Sequence, residues 1–250
     1  MSSLSRITAT ITATLLALCF LSVAVSPALS MTLDKNLRQD SWGSLNWSGY
    51  AVTGAPGSIT GVSGSWTVPT VATSKSSRYV AFWAGIDGFT QTSNTVEQAG
   101  VLAIASKQGV SYMAWYEFYP GPMVTIPELS ITQGETITVT ISYAETNQYT
   151  VTVSARAAGS STVTINQIVT GTERSSAEWI AERPSIGRSI TKLANFGTVN
   201  FQQCSYSATS SVTQQSITMV NKKGQVLAQP SSISGTTAGY SFSITYLKSS

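Results

Sequence analysis

Residues 136–143 read Thr-Ile-Thr-Val-Thr-Ile-Ser-Tyr, and this alternation decides the fold class. Side chains on an extended chain point to opposite faces at each step, so Ile137, Val139, Ile141 and Tyr143 share an apolar face while Thr136, Thr138, Thr140 and Ser142 share a hydroxyl face. A helix would scatter the same residues around its circumference. Tyr149, Val151 and Val153 repeat the pattern against Thr150, Thr152 and Ser154. Near the C-terminus Tyr240, Phe242, Ile244 and Tyr246 repeat it against Ser241, Ser243 and Thr245. Turn-forming clusters punctuate the chain at Ala55-Pro56-Gly57, Gln133-Gly134, Ala158-Gly159, Thr170-Gly171 and Lys222-Lys223-Gly224. No stretch carries a sustained helical stripe. Many short strands at such spacing predict an all-β chain: a single-domain β-sandwich of two packed antiparallel sheets. No linker, charge run or internal repeat divides its 250 residues.

One strand departs from the simple pattern. Between Val110 and Pro120 the period of two sets Trp115, Glu117 and Tyr119 on one face, and Tyr116 and Phe118 on the other. Large side chains on both faces keep water from both, so one face is expected in the inter-sheet core. The other, with a carboxylate among aromatics, is expected to wall a cleft. A second aromatic segment, Phe82 to Gly100, breaks at Gly85-Ile86-Asp87-Gly88, where a tight turn is expected, with Asp87 bonding nearby backbone N–H groups.

Composition narrows the chemistry. Only 10% of residues are charged and the net charge is +3, too little basic surface for nucleic acid. Ser and Thr supply most of the polarity, so acid would remove few native ion pairs. The chain has no histidine, which excludes Ser-His-Asp and Cys-His catalysis and removes the commonest zinc ligand. Hydrolysis would have to run on carboxylates, amides, hydroxyls or lysine, with no metal or other cofactor expected.

Residues 1–28 read as a secretory signal, with Arg6 ahead of an apolar core from Ile7 to Val25 and a small-residue cleavage site at Ser26-Pro27-Ala28. The core is long enough for an uncleaved anchor to be the alternative. Residues 29–42 are a short polar arm or pro-segment, and 43–250 the folded domain. Secretion follows, with no membrane association after signal removal, and a monomer is expected. Cys19 lies in the signal, leaving Cys204 as a buried apolar residue without a disulfide partner.

Among eight Glu and three Asp, four lie in aromatic settings: Asp87, Glu117, Glu178 and Glu182. A carboxyl beside Trp or Tyr in a partly dry cleft has its pKa raised, which suits acid/base work. Pattern alone does not choose among the four.

The residues resemble the glutamic peptidases, or eqolisins. The likeness runs in order through Asn46-Trp47-Ser48-Gly49-Tyr50, Gly64-Ser65-Trp66-Thr67-Val68-Pro69, Trp83-Ala84-Gly85-Ile86-Asp87-Gly88, Glu97-Gln98-Ala99-Gly100-Val101, Ala114-Trp115-Tyr116-Glu117-Phe118-Tyr119-Pro120, Ala177-Glu178-Trp179-Ile180-Ala181-Glu182 and Phe196-Gly197-Thr198-Val199. This resemblance implies a sandwich of the concanavalin A-like or jelly-roll type and a secreted, acid-acting endopeptidase of protein or peptide substrates. It also implies a catalytic pair, Gln98 and Glu182, with Trp47, Trp83, Asp87, Trp115, Glu117 and Tyr119 lining or bracing the cleft. Glu182 would act as general base on water and Gln98 would stabilise the oxyanion, with no covalent intermediate.

The chain departs from the fungal pattern in carrying Met113 where those enzymes have Asp, and in lacking their disulfides and long basic propeptide. Glu97 replaces an apolar residue beside Gln98 and, by alternation, points to the opposite face. Two other classes fit the composition: a carbohydrate-binding, lectin-like sandwich using Trp47, Trp66 and Trp115 as platforms, and a glycosidase using Glu117 and Glu182 as a carboxylate pair. Asn46-Trp47-Ser48 also fits the N-glycosylation pattern, on a strand expected to face the cleft.

Overall fold

The alternating runs become strands. In the computed structural model, residues 25–26, 31–32, 41–90, 93–156, 160–187, 189–236 and 239–249 are described. The first strands are β1 (Val25–Ser26), β2 (Met31–Thr32), β3 (Ser41–Ser44), β4 (Trp47–Thr53), β5 (Ile59–Thr67), β6 (Arg78–Ile86), β7 (Val96–Ser106), β8 (Gly109–Tyr119) and β9 (Val124–Thr125). There follow β10 (Thr136–Ala144), β11 (Gln148–Arg156), β12 (Ser160–Ile168), β13 (Ser176–Glu182), β14 (Ser185–Ile186) and β15 (Ser189–Ile190). The chain ends with β16 (Thr198–Ala208), β17 (Thr213–Val220), β18 (Val226–Pro230), β19 (Ser234–Thr236) and β20 (Gly239–Tyr246). Among the described residues there is no helix. The expected signal and polar arm fall mostly outside the described residues, as does Cys19. Within those stretches, β1 pairs with β14 and β2 with β3.

One layer runs β9-β8-β7-β6-β13-β4-β17-β3, antiparallel except for the parallel β17–β3 pair. The other runs β12-β11-β10-β5-β16-β20-β18. Pairing of β17 with β18 carries one layer into the other, while β1, β14 and β15 form a separate small sheet. The all-β sandwich expected from the alternation is the architecture found.

Val80, Phe82, Ala84 and Ile86 of β6, with Val101 and Ala103 of β7, join Ile137, Val139 and Ile141 of β10 and Val151 and Val153 of β11 in one buried core. Tyr116 and Phe118 pack against this core from β8. Phe201 and Phe242 stack within it, ring centroids 5.2 Å apart. Cys204 is fully buried and free, and the apolar surroundings push its thiol upward.

Two details of connection matter for the site. Strand β13 is inserted between β4 and β6, so it hydrogen-bonds to strands that precede it by about ninety residues or more. β6 and β7 approach so closely at Gly100 that a Cβ there would sit 2.0 Å from the Phe82 carbonyl oxygen.

The expected tight turn at Gly85-Ile86-Asp87-Gly88 is not one. β6 ends at Ile86, Asp87 and Gly88 adopt φ of 69° and 96°, and β7 begins only at Val96. The Asp87 carboxylate accepts backbone N–H groups from Arg174 at 2.7 Å and Ser175 at 2.9 Å, not from its own turn. It therefore anchors the segment that leads into β13.

Candidate active site

The register of the first layer gathers the candidate residues on the face turned away from the inter-sheet core. Gln98 lies opposite Glu117 of β8 on one side and Gly85 of β6 on the other. Trp83 lies opposite Ile180 and Gly100, and Gly100 opposite Trp115. Glu182 lies opposite Trp47 of β4 and Ala81 of β6. Cross-strand partners share a face, so Gln98, Glu117, Trp83, Trp115, Trp47 and Glu182 all project from the same side. Trp47, Ala51, Ala81, Trp83, Phe89, Val96, Leu102, Trp115, Ile180 and Ile217 form a second buried cluster there, edged by Trp42, Tyr119, Met113 and Met123.

Within this shell Glu182 is 1% exposed. Its Oε2 accepts the indole N–H of Trp83 at 2.9 Å, and its Oε1 accepts the side-chain N–H of Asn46 at 3.2 Å. Trp47 packs edge-on against Trp83, centroids 4.9 Å apart. Its Nε1 makes no hydrogen bond within ordinary limits, yet it lies close enough to Glu182 to favour the charged form. Gln98, also 1% exposed, donates from Nε2 to Glu117 Oε2 at 2.7 Å. That contact orients the amide and leaves its second N–H and its Oε1 uncommitted.

Burial pushes Glu182 up to about 8, aided by the Glu117 charge and opposed by the Trp83 and Asn46 donors. Glu117 is likewise raised by burial to about 8, with the Gln98 amide opposing. The two carboxyls therefore act on one another, which places both in one electrostatic unit. They are not equivalent. Each oxygen of Glu182 accepts an N–H, an arrangement suited to a carboxylate, whereas Glu117 accepts one side-chain N–H, from Gln98, and its Oε1 has no hydrogen-bond partner among the described residues.

Asp87, Glu97 and Glu178 form another group. All three are fully buried, burial pushes the carboxyls of Glu97 and Glu178 well above the usual range, and the Asp87 charge adds to the rise in both. Glu97 lies beside Gln98 on β7 but points to the opposite face, as alternation requires. Asp87 braces the entry to β13 and does not join the Gln98, Glu117 and Glu182 set. Among the described residues, no three His, Cys, Asp or Glu side chains are grouped to hold a metal ion.

Asn46 is the residue that sequence reasoning left out of the candidate site. It fits a glycosylation pattern and opens a motif of the family resemblance, without a role of its own, yet it is 2% exposed and its amide meets Glu182 across 136 positions of sequence. Nothing local to Asn46 announces that partner. Its place immediately before Trp47, in a motif already assigned to the cleft, was the available signal.

A model of the Peptidase A4 family matches residues 45–243. Aspergillopepsin-2 of Aspergillus niger is 30% identical over 235 residues, covering 82% of this chain and 78% of that protein. Scytalido-glutamic peptidase, solved with a transition-state analogue inhibitor, superposes with a TM-score of 0.68 at 23% identity, covering 81% of this chain and 98% of that one. Aspergilloglutamic peptidase from Aspergillus niger gives a TM-score of 0.57 at 27% identity, covering 68% and 99%.

Proposed function

Because the chain belongs to the Peptidase A4 family and is a peptidase, we propose that it is secreted and cleaves peptide bonds with Glu182 as general base and then acid, and Gln98 as oxyanion donor. Family membership decides for peptidase over the saccharide-binding and glycosidase readings. Export is inferred from the apolar N-terminal stretch and its small-residue cleavage site.

The observation that supports this reading is the N–H donor held on each oxygen of Glu182, from Asn46 and from Trp83. An ionised Glu182 takes a proton from a water bound against it, and that water attacks the scissile carbonyl. The free N–H of Gln98 donates to the oxygen that gains charge, an interaction worth about 3–4 kcal/mol for a single well-placed donor. The proton held on Glu182 then passes to the leaving amine. Glu117 fixes the Gln98 amide and, by staying neutral, avoids placing a second negative charge beside the base. A Gln does not titrate, so the donor persists at every pH.

Acid action sets a condition on this scheme. With Glu182 ionising near 8, only about one site in ten thousand would be ionised at pH 4. Working in acid requires the catalytic water and substrate dipoles to resolvate Glu182, so the acid limb of kcat reports that occupied site while the acid limb of kcat/KM reports Glu182 in the free enzyme. The test is cleavage of a denatured protein by the purified chain across the acid and neutral range. Glu182→Gln and Gln98→Ala, each shown folded by circular dichroism, should each lose at least about 100-fold in kcat. Pepstatin-type inhibitors should have no effect. Full activity in either variant refutes the assignment.

A further inference from the structure

We infer that Asn46 is a positioning residue for Glu182, and that Ser44 in turn fixes Asn46, forming a relay that holds the carboxylate in its reactive orientation. The inference rests on the assignment of Glu182 as the base. The Ser44 hydroxyl donates to Asn46 Oδ1 at 3.2 Å, and Asn46 Nδ2 donates to Glu182 Oε1 at 3.2 Å. Ser44 Oγ already accepts two backbone N–H groups, so its own O–H is left to donate to Asn46 Oδ1, which turns Nδ2 towards Glu182.

The support beneath this relay is dense. Ser44 Oγ also accepts the backbone N–H groups of Asn46 at 3.3 Å and Trp47 at 3.1 Å. On the other side, Arg183 donates its backbone N–H to the Asn46 carbonyl at 3.0 Å and its Nε to the Leu45 carbonyl at 2.6 Å. Residues 44–46 are thus clamped to the end of the strand that carries Glu182. Ser44, Asn46 and Glu182 are each no more than 2% exposed, so bulk water does not compete for these bonds. The guanidinium of Arg183, next in sequence to the base, is spent on the Leu45 carbonyl and is not counted among the groups acting on Glu182. The groups that do face Glu182 are Trp83 from β6, Glu117 from β8, and Trp47 and Asn46 from the start of β4. Of these, Trp83 fixes Oε2, and Asn46 alone is bonded to Oε1 within hydrogen-bond distance. Two donors on two oxygens determine both the rotation of the carboxylate plane and its charge.

The experiment measures kcat, KM and the pH dependence of kcat/KM for wild type, Asn46→Ala, Asn46→Asp and Ser44→Ala. Loss of the donor should cut kcat about tenfold or more in Asn46→Ala with little change in KM, and move the acid limb to higher pH by about one unit. Asn46→Asp keeps the shape but replaces the donor by an acceptor, so its acid limb should move further. Ser44→Ala frees the amide to turn and should fall between wild type and Asn46→Ala. If Asn46→Ala does not fold, Ser44→Ala and Asn46→Asp carry the test. A merely structural Asn46 would lower stability while leaving the acid limb of the folded fraction unmoved, and that result overturns the inference. A fully active Glu182→Gln would instead overturn the assignment on which it rests, so the two failures are distinguishable.

Discussion

Raising the pH from acid towards neutral should destabilise this protein, and two carboxyls set the scale. Glu117 and Glu182 each move from 4.5 to about 8 on folding. Between those limits the native state holds a proton that the unfolded chain has released, so stability falls as pH rises. It is fully present below about pH 4.5 and declines at about 1.4 kcal/mol per pH unit for each group until that group ionises in the folded state near 8. At about pH 7 one such group has removed about 3 kcal/mol, a large share of the roughly 5–15 kcal/mol typical of a domain. Asp87, Glu97 and Glu178 shift in the same direction and add to the loss. The assay is Tm by circular dichroism from about pH 3 to 8, with Glu117→Gln as the diagnostic variant. The carboxamide keeps the size of the side chain and an acceptor for Gln98 but does not titrate. It should match wild type near pH 4 and exceed it near pH 7 by up to about 3 kcal/mol. A Tm that is flat or rises from acid to neutral, or a variant that tracks wild type throughout, refutes the reasoning.

Trp83→Phe removes the indole donor held 2.9 Å from Glu182 Oε2, so the acid limb of kcat/KM should shift upward by about one unit, read from a pH–rate profile. Asp87→Ala strips the acceptor from the N–H groups of Arg174 and Ser175, and chemical denaturation should show a loss of about 2–5 kcal/mol. The acid limb of that variant should stay where it is, because Asp87 is not among the charges acting on Glu182. Gly100→Ala forces a Cβ to 2.0 Å from the Phe82 carbonyl, parting β6 from β7 at a cost of about 3 kcal/mol, measurable as a fall in Tm.

What could be read from sequence was whatever depends on neighbours one or two positions away. The alternation at Thr136–Tyr143 and at Trp115–Tyr119 placed each side chain on its proper face, because a strand enforces that period without help from the rest of the fold. Glu178 and Glu182 show where this ends. They are four residues apart and project to the same side, so period alone could not separate them. Position across the sheet does so, setting Glu178 opposite Gly85 in reach of the Asp87 and Glu97 charges, and Glu182 opposite Ala81 under Trp83 and Asn46. Asp87 was read as a local turn-former and instead serves a loop 87 positions away. Asn46 fits a glycosylation pattern on a strand expected to face the cleft, yet its amide is buried against a carboxylate 136 positions away, a partner that no local pattern names. Each of these depends on strand order, which no local pattern contains.

The insertion of β13 between β4 and β6 has a consequence for how competence is acquired. Every contact to Glu182 waits on a strand synthesised long after the two strands it pairs with. That pairing is entropically slow because the partners are so remote along the chain. A nascent or truncated polypeptide ending before residue 176 therefore lacks the strand that carries Glu182, and with it both of the hydrogen bonds that hold this carboxyl.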